Sequence, residues 1–270
     1  MLDELYSLPA SARRDFEADG FVHLPGVLDE RDIATYEPAV TGSVIELNTM
    51  HLPMSARTTY EKAFLQVSNL WRHSDVVREL VFSRRLAAIA AGLLGVDGVR
   101  LYHDQALYKE PGGGHTPWHA DQYYWPLATD RSVTAWIPLQ ETSLTMGPLA
   151  FARGSHRISF GRDLPISDES ETALRAALAE QNFPLVQEPF AAGDASFHLG
   201  WTFHRAAPNA STLPRRVMTI IYIDADMPVA EPVNDQQRRD WGMWLGRTRV
   251  GQVPDTELNP VLHRAGARPS

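Results

Sequence analysis

The sequence predicts a mainly β protein with helical decoration: a jelly-roll barrel packed by N-terminal helices. Two observations predict it. Helical patterns cluster before residue 99, while short strand-like runs broken by Pro and Gly fill the stretch from Val99 to about residue 227. Runs of helix followed by runs of strand argue for segregated layers and against an alternating α/β fold. The strand-rich half also carries His, Asp and Arg amid apolar residues, and a jelly roll can hold a metal and a ligand in its interior. A chain of 270 residues lies within reach of one barrel domain. The expectation is a single domain over 1–270, with a helix-rich part at 1–98, a barrel core at about 99–227 and an irregular tail at 228–270.

Taken in order, PASARRDFEAD at 9–19 reads as a short helix that ends at Asp19-Gly20. FVHLPGVL at 21–28 alternates like a strand and breaks at Pro25-Gly26. Asp29 is a good N-cap, with Asp32 three residues on, for a helix reaching about Asn48. Residues 75–95 hold one or two helices. From Val99 come VRLYHDQALYKE, the loop PGGGHTP and SVTAWIPLQET, all strand-and-loop texture. Ser167 caps a clear helix with apolar residues at 174, 177 and 178. Strands resume in PLVQEPF, ASFHLGWTFHRAA and RVMTIIYIDAD.

Composition narrows the chemistry. There is no cysteine, which excludes disulfides, thiolate zinc sites, iron–sulfur clusters and a cysteine nucleophile; ten histidines remain as nitrogen ligands. A net charge of −8 argues against a nucleic-acid partner. The longest apolar run, Leu86 to Val96, is too short to span a bilayer and reads as a buried helix. The N-terminus lacks the apolar core of a secretory signal, so the expected compartment is the cytoplasm. The glycines of PGGG lack both the Lys-Ser/Thr ending of a P-loop and the dinucleotide pattern, and no Gly-x-Ser-x-Gly elbow is present.

The informative segment is HTPWHADQYYW at 115–125. If it continues as a strand, His119 and Asp121 share a face and reach one point. His204 in GWTFHRAAPN is the best third ligand. Two His and one carboxylate form a facial triad with open positions for non-haem Fe(II). Eleven residues beyond His204 stands Arg215. Its planar fork suits the distal carboxylate of a 2-oxoglutarate cosubstrate. Arg216 is the alternative, since only one of two neighbours on a strand faces in.

FEADGFVHLPGVLDERDI, LYHDQALYKEPGGGHTPWHADQYYW, TAWIPLQETSLTMGPLAFARGSHR and HRAAPNASTLPRR follow one another in an order that resembles the phytanoyl-CoA dioxygenase family, over about residues 14–225. The resemblance implies a double-stranded β-helix of cupin-like type. It implies an enzyme using Fe(II), 2-oxoglutarate and O2, with His119, Asp121 and His204 as iron ligands. It implies that Arg215 binds the cosubstrate, that Trp136 packs by it and that Gln105 faces the same cavity. The implied reaction oxidises a small organic molecule, such as a natural-product intermediate, with release of succinate and CO2. Hydroxylation, desaturation, epimerisation and ring closure all remain open. Related halogenases lack the carboxylate ligand, so Asp121 favours hydroxylation over halogenation. Tyr123, Tyr124 and Trp125 are placed to line a substrate mouth. His156 reads as a turn residue, and His198, on the same strand face as His204, reads first as a core histidine, with a place behind the ligands as the alternative. Trp241 and Trp244 read as packing in the tail. The alternatives are a zinc hydrolase on the same ligands and a non-catalytic ligand-binding barrel.

Overall fold

The computed structural model describes residues 2 and 4–266. Its frame is two antiparallel sheets. The larger contains β1 (Phe21–Leu24), β8 (Ala195–Leu199), β5 (Ser132–Pro138), β10 (Val217–Asp224), β3 (Gly98–Tyr108) and β11 (Val261–Arg264) in that spatial order, with β2 (Leu65–Ser68) also on β3. The smaller is β4 (Thr116–His119), β9 (His204–Ala206), β6 (Leu149–Ala152) and β7 (Leu185–Gln187). The two ladders stay separate, so this jelly roll is a flattened sandwich and not a closed cylinder.

Helices cover the large sheet. These are α1 (Ala12–Asp19), α2 (Glu30–Leu47), α4 (Asp75–Val81) and α5 (Arg84–Leu94), while the short α3 (Thr59–Ala63) lies by β4 of the smaller sheet. Asp29 caps α2 as its sequence predicts, accepting from the N–H groups of Arg31 and Asp32, while Asp32 returns a bond to the Asp29 N–H. Strand alternation sorts the residues of the large sheet. Val133, Ala135 and Ile137 of β5, and Met218, Ile220 and Tyr222 of β10, enter the core shared with Phe16, Val40, Leu80 and Leu86. Their neighbours Thr134, Trp136 and Thr219 face the other way, into a cavity between the sheets. A bulge in β3 leaves Tyr102 unmatched, since Ile221 pairs with His103 and Tyr222 with Leu101. It reverses the parity of β3. Leu101 faces the helices, whereas His103, Gln105 and Leu107 face the cavity. On the far side α6 (Asp168–Glu180) packs Leu174 and Leu178 against Trp118, Ala152 and Phe203.

Three expectations need correction. The tail is not irregular: it forms α7 (Asp235–Met243) and β11, and β11 pairs with β3. The β core is not confined to 99–227, because β1, β2 and β11 complete the large sheet from outside it. ASFHLGWTFHRAA is not one strand. It turns between β8 and β9, so His198 and His204 belong to different sheets.

Gly20 shows how the helical layer is tied to the interior. It ends α1 at φ +83°, and a Cβ there would lie 2.4 Å from His156 Nδ1 and 2.6 Å from Thr202 Oγ1. Thr202 donates to the Gly20 carbonyl at 2.7 Å. Gly20→Ala meets both the left-handed backbone and the clash, so it should lower stability by at least about 1 kcal/mol. Urea unfolding of the two proteins measures it.

Candidate active site

The pairing of β4 with β9 sets His119 directly opposite His204, with ring centroids 4.1 Å apart. The ladder is irregular between Thr116 and His119, where Pro117 has no N–H to donate. The Trp118 N–H instead donates to Glu171 of α6 at 2.7 Å. Asp121 does not lie on the same strand as His119. Ala120 is the last extended residue (φ −124°, ψ 131°), and Asp121 opens a 3₁₀ turn to Tyr124. That turn brings the Asp121 carboxylate back between the rings. Its Oδ1 lies 3.6 Å from His119 Nε2 and 3.7 Å from His204 Nε2. Gln122 pins the turn. Its N–H donates to Gly200 O at 2.9 Å, its amide donates to Thr129 O, and its amide oxygen accepts from Ser132.

Both histidines are oriented from behind. His119 Nδ1 is 2.7 Å from Pro117 O, and His204 Nδ1 is 3.0 Å from Thr202 O. A carbonyl can only accept, so the ring proton sits on Nδ1 and the Nε2 lone pair faces Asp121. Burial drives both imidazoles down to about 4, beyond what the nearby Asp121 carboxylate restores. Burial alone would raise Asp121, but His204, His198 and His119 outweigh it and hold the carboxyl well below its usual range. Neutral imidazoles, an ionised carboxylate and three ligand atoms within 4.8 Å of one another are what a divalent metal requires. Among the described residues this is the cluster suited to a metal.

The triad opens into a cavity of about 630 Å³ between the sheets. Arg215 lines it and is 1% exposed; its guanidinium lies 5.4 Å over the Trp136 ring. One Nη donates to Gly147 O, but Nε has no partner and, among the described residues, no carboxylate pairs with the group. Burial pulls Arg215 down to about 9, so it remains a cation at neutral pH. Arg216 faces the other way and pairs with Glu37 at 2.9 Å. Trp136 also lines the cavity, its Nε1 buried without an acceptor. Gln105 lies on the wall, where its amide oxygen accepts from Gln66. Tyr124 and Trp125 line the cavity, whereas Tyr123, edge-on against Tyr124, does not.

Sequence reasoning missed several contributors and ranked the role of one, His198, below packing. His198 and Thr134 both reach Asp121 Oδ2, at 3.2 and 2.9 Å. Lys109 is fully buried and donates to Gly114 O, to Ala207 O at 3.1 Å and to Thr116 Oγ1 at 3.4 Å, tying the glycine loop to β9. Gln236, Asp240, Met243 and Trp244 bring α7 and the residue after it to the cavity. The four-residue repeat of Gln236, Asp240 and Trp244 is a helix-face signal that could have found them.

Fold, triad and buried arginine define the class: a non-haem oxygenase that uses Fe(II) and 2-oxoglutarate. The chain belongs to the phytanoyl-CoA dioxygenase (PhyH) family, whose model matches residues 16–217. It is 29% identical over 169 residues to a probable alpha-ketoglutarate-dependent hypophosphite dioxygenase of Stutzerimonas stutzeri, a match spanning 61% of this chain and 59% of that protein. It is 26% identical to the 1-deoxypentalenic acid 11-beta-hydroxylase of Streptomyces exfoliatus, over 74% of this chain and 75% of that one. It superposes with a TM-score of 0.79 on the epimerase SnoN in complex with Fe3+, alpha ketoglutarate and nogalamycin RO, at 27% identity over 93% of this chain and 97% of the other.

The imidazole shifts have a direct check. In the metal-free protein the ring resonances of His119 and His204 should not titrate between pH 8 and 5, and should move only as pH falls towards about 4. Nitrogen-detected NMR of the imidazoles reads this.

Proposed function

We propose that this enzyme hydroxylates a mid-sized, largely apolar organic molecule while converting 2-oxoglutarate to succinate and CO2. The observation that carries the reading is Arg215, a buried cation in the same cavity as the triad with no carboxylate partner among the described residues. An unpaired charge at that depth is costly, and an anionic ligand would satisfy it. A zinc hydrolase on the same ligands leaves Arg215 unexplained, and a non-catalytic barrel leaves the metal-suited triad beside it unexplained.

In this reading His119, Asp121 and His204 hold the iron through Nε2, Oδ1 and Nε2. Arg215 takes the distal carboxylate of 2-oxoglutarate, and the idle Trp136 Nε1 lies beside that position as a further donor. When bound, Fe(II), 2-oxoglutarate and O2 supply the oxidising power to replace a C–H by C–OH, one oxygen atom going to substrate and one to succinate. The protein orients these groups and keeps the interior dry with Trp136, Leu149 and Ala206.

The walls speak to the substrate. The cavity is far larger than a small oxyanion needs, and its outer part is lined by Tyr60, Phe64, Tyr124, Trp125 and Trp244. Besides Arg215 its guanidinium is that of Arg239, which is exposed. That favours a ring-bearing natural-product skeleton, as in the names of the pentalenic acid hydroxylase and SnoN, over a phosphorus oxyanion. A chain of net charge −8 in which no described helix is long and apolar enough to cross a membrane suits a cytoplasmic enzyme of one domain acting alone on a small molecule.

The test is succinate formation with Fe(II), ascorbate, 2-oxoglutarate and O2 across a panel of polycyclic metabolites. Substrate-dependent succinate matched by a product 16 mass units heavier is expected. Failure of the protein to bind Fe(II) and 2-oxoglutarate would overturn the reading. His119→Ala and Asp121→Ala should abolish turnover with the fold retained by circular dichroism. Arg215→Leu should raise the KM for 2-oxoglutarate by about 100-fold, the loss of one buried charge pair. Arg216→Leu should leave it unchanged.

A further inference from the structure

We propose that His198 is a positioning residue for the carboxylate ligand. With Thr134 it ties down Oδ2 of Asp121, so that Oδ1 alone is offered to the metal. This rests on the reading of Asp121 as an iron ligand.

The two oxygens of Asp121 have different surroundings. Oδ1 faces the Nε2 atoms of His119 and His204 at 3.6 and 3.7 Å. Oδ2 accepts from Thr134 Oγ1 at 2.9 Å and lies 3.2 Å from His198 Nε2. Thr134 and His198 are register partners on β5 and β8, so one cross-strand pair of the large sheet aims two donors at one atom. The ligands themselves come from the small sheet and the turn that follows it. The contact therefore bridges the sheets at the metal position.

The chemistry of the ring fits this duty. His198 is 1% exposed, and its Nδ1 is buried without a partner. The acceptor within its reach is Asp121, so the ring proton belongs on Nε2 and Nδ1 carries the idle lone pair. A histidine kept only for packing against Phe151 and His204 would be a poor filler, because it buries a polar nitrogen for nothing. A carboxylate free to rotate could present both oxygens to a metal. The second oxygen would then occupy a position that a chelating cosubstrate needs. Holding Oδ2 from behind prevents this and leaves the open face of the triad free.

The test is anaerobic Fe(II) titration of the purified protein, followed by the visible charge-transfer band that forms when 2-oxoglutarate chelates the bound iron. The variants are His198→Leu, His198→Gln and Thr134→Val, each with a thermal melt of the metal-free form. His198→Leu should weaken Fe(II) binding by about 10–100-fold and diminish or shift the band. His198→Gln, whose amide N–H can stand in for Nε2–H, should restore most of both. Thr134→Val should show a smaller loss of the same kind, and it carries the test if the leucine variant does not fold. Wild-type affinity and band in His198→Leu, or in Thr134→Val if that variant must serve, would overturn the proposal. So would equal losses in the leucine and glutamine variants at unchanged melting temperature, which is the result of packing alone. Asp121→Ala is run in parallel. If the wild type binds Fe(II) and Asp121→Ala does not, the ligand reading stands and the His198 variants alone judge the inference. If the wild type binds none, that reading fails first and takes this one with it.

Discussion

Everything at the centre of this protein depends on the antiparallel pairing of two short strands. In the β4–β9 ladder His119 faces His204, and cross-strand neighbours are held at the one distance that lets two imidazoles converge on a single point. The ladder is short and irregular, so it is supported from outside itself. Glu171 takes the Trp118 N–H, Leu174 and Leu178 pack on the back of the small sheet, and Thr202 links the start of β9 to the end of α1. A slip of one residue would turn one imidazole away and dismantle the site.

The interior charges are balanced around that pair with economy. The three imidazoles around Asp121 hold its carboxyl low, and burial disfavours the charged form of His119 and His204. Arg215 stands apart as a cation without an anionic partner among the described residues. Lys109 lies near it, and burial, then Arg215, pulls its ammonium down to about 6. The interior thus avoids a second persistent positive charge beside the first. Lys109 instead gives its N–H groups to the carbonyls of Gly114 and Ala207, with the Thr116 hydroxyl 3.4 Å away, which fixes the loop leading into β4.

Much of the local structure was legible because its causes are local. The Asp29 cap, the Gly20 stop, the Ser167 cap and the loop glycines act over a few residues, and each lies where the sequence places it. The interior strands gave less. β5 and β10 are buried on both faces, so their alternation cannot be told from polarity. The bulge at Tyr102, the turn that separates β8 from β9 and the docking of α7 leave no such mark either. That is why the tail looked irregular and why His198 and His204 looked like neighbours on one strand.

The sequence by itself determined the ingredients: no sulfur ligand, a His-x-Asp pair, a distal histidine and an arginine beyond it, in an order that marks the family. Those are properties of residue identity and spacing along the chain. Only the tertiary structure decided how they meet. It turned Asp121 off the strand and back between the rings, chose Arg215 over Arg216 for the interior, aimed His198 and Thr134 at one carboxylate oxygen, and brought α7 to the rim. The reason is physical. Each of these depends on strand register and sheet packing between segments tens of residues apart, and no local pattern encodes a contact across that distance.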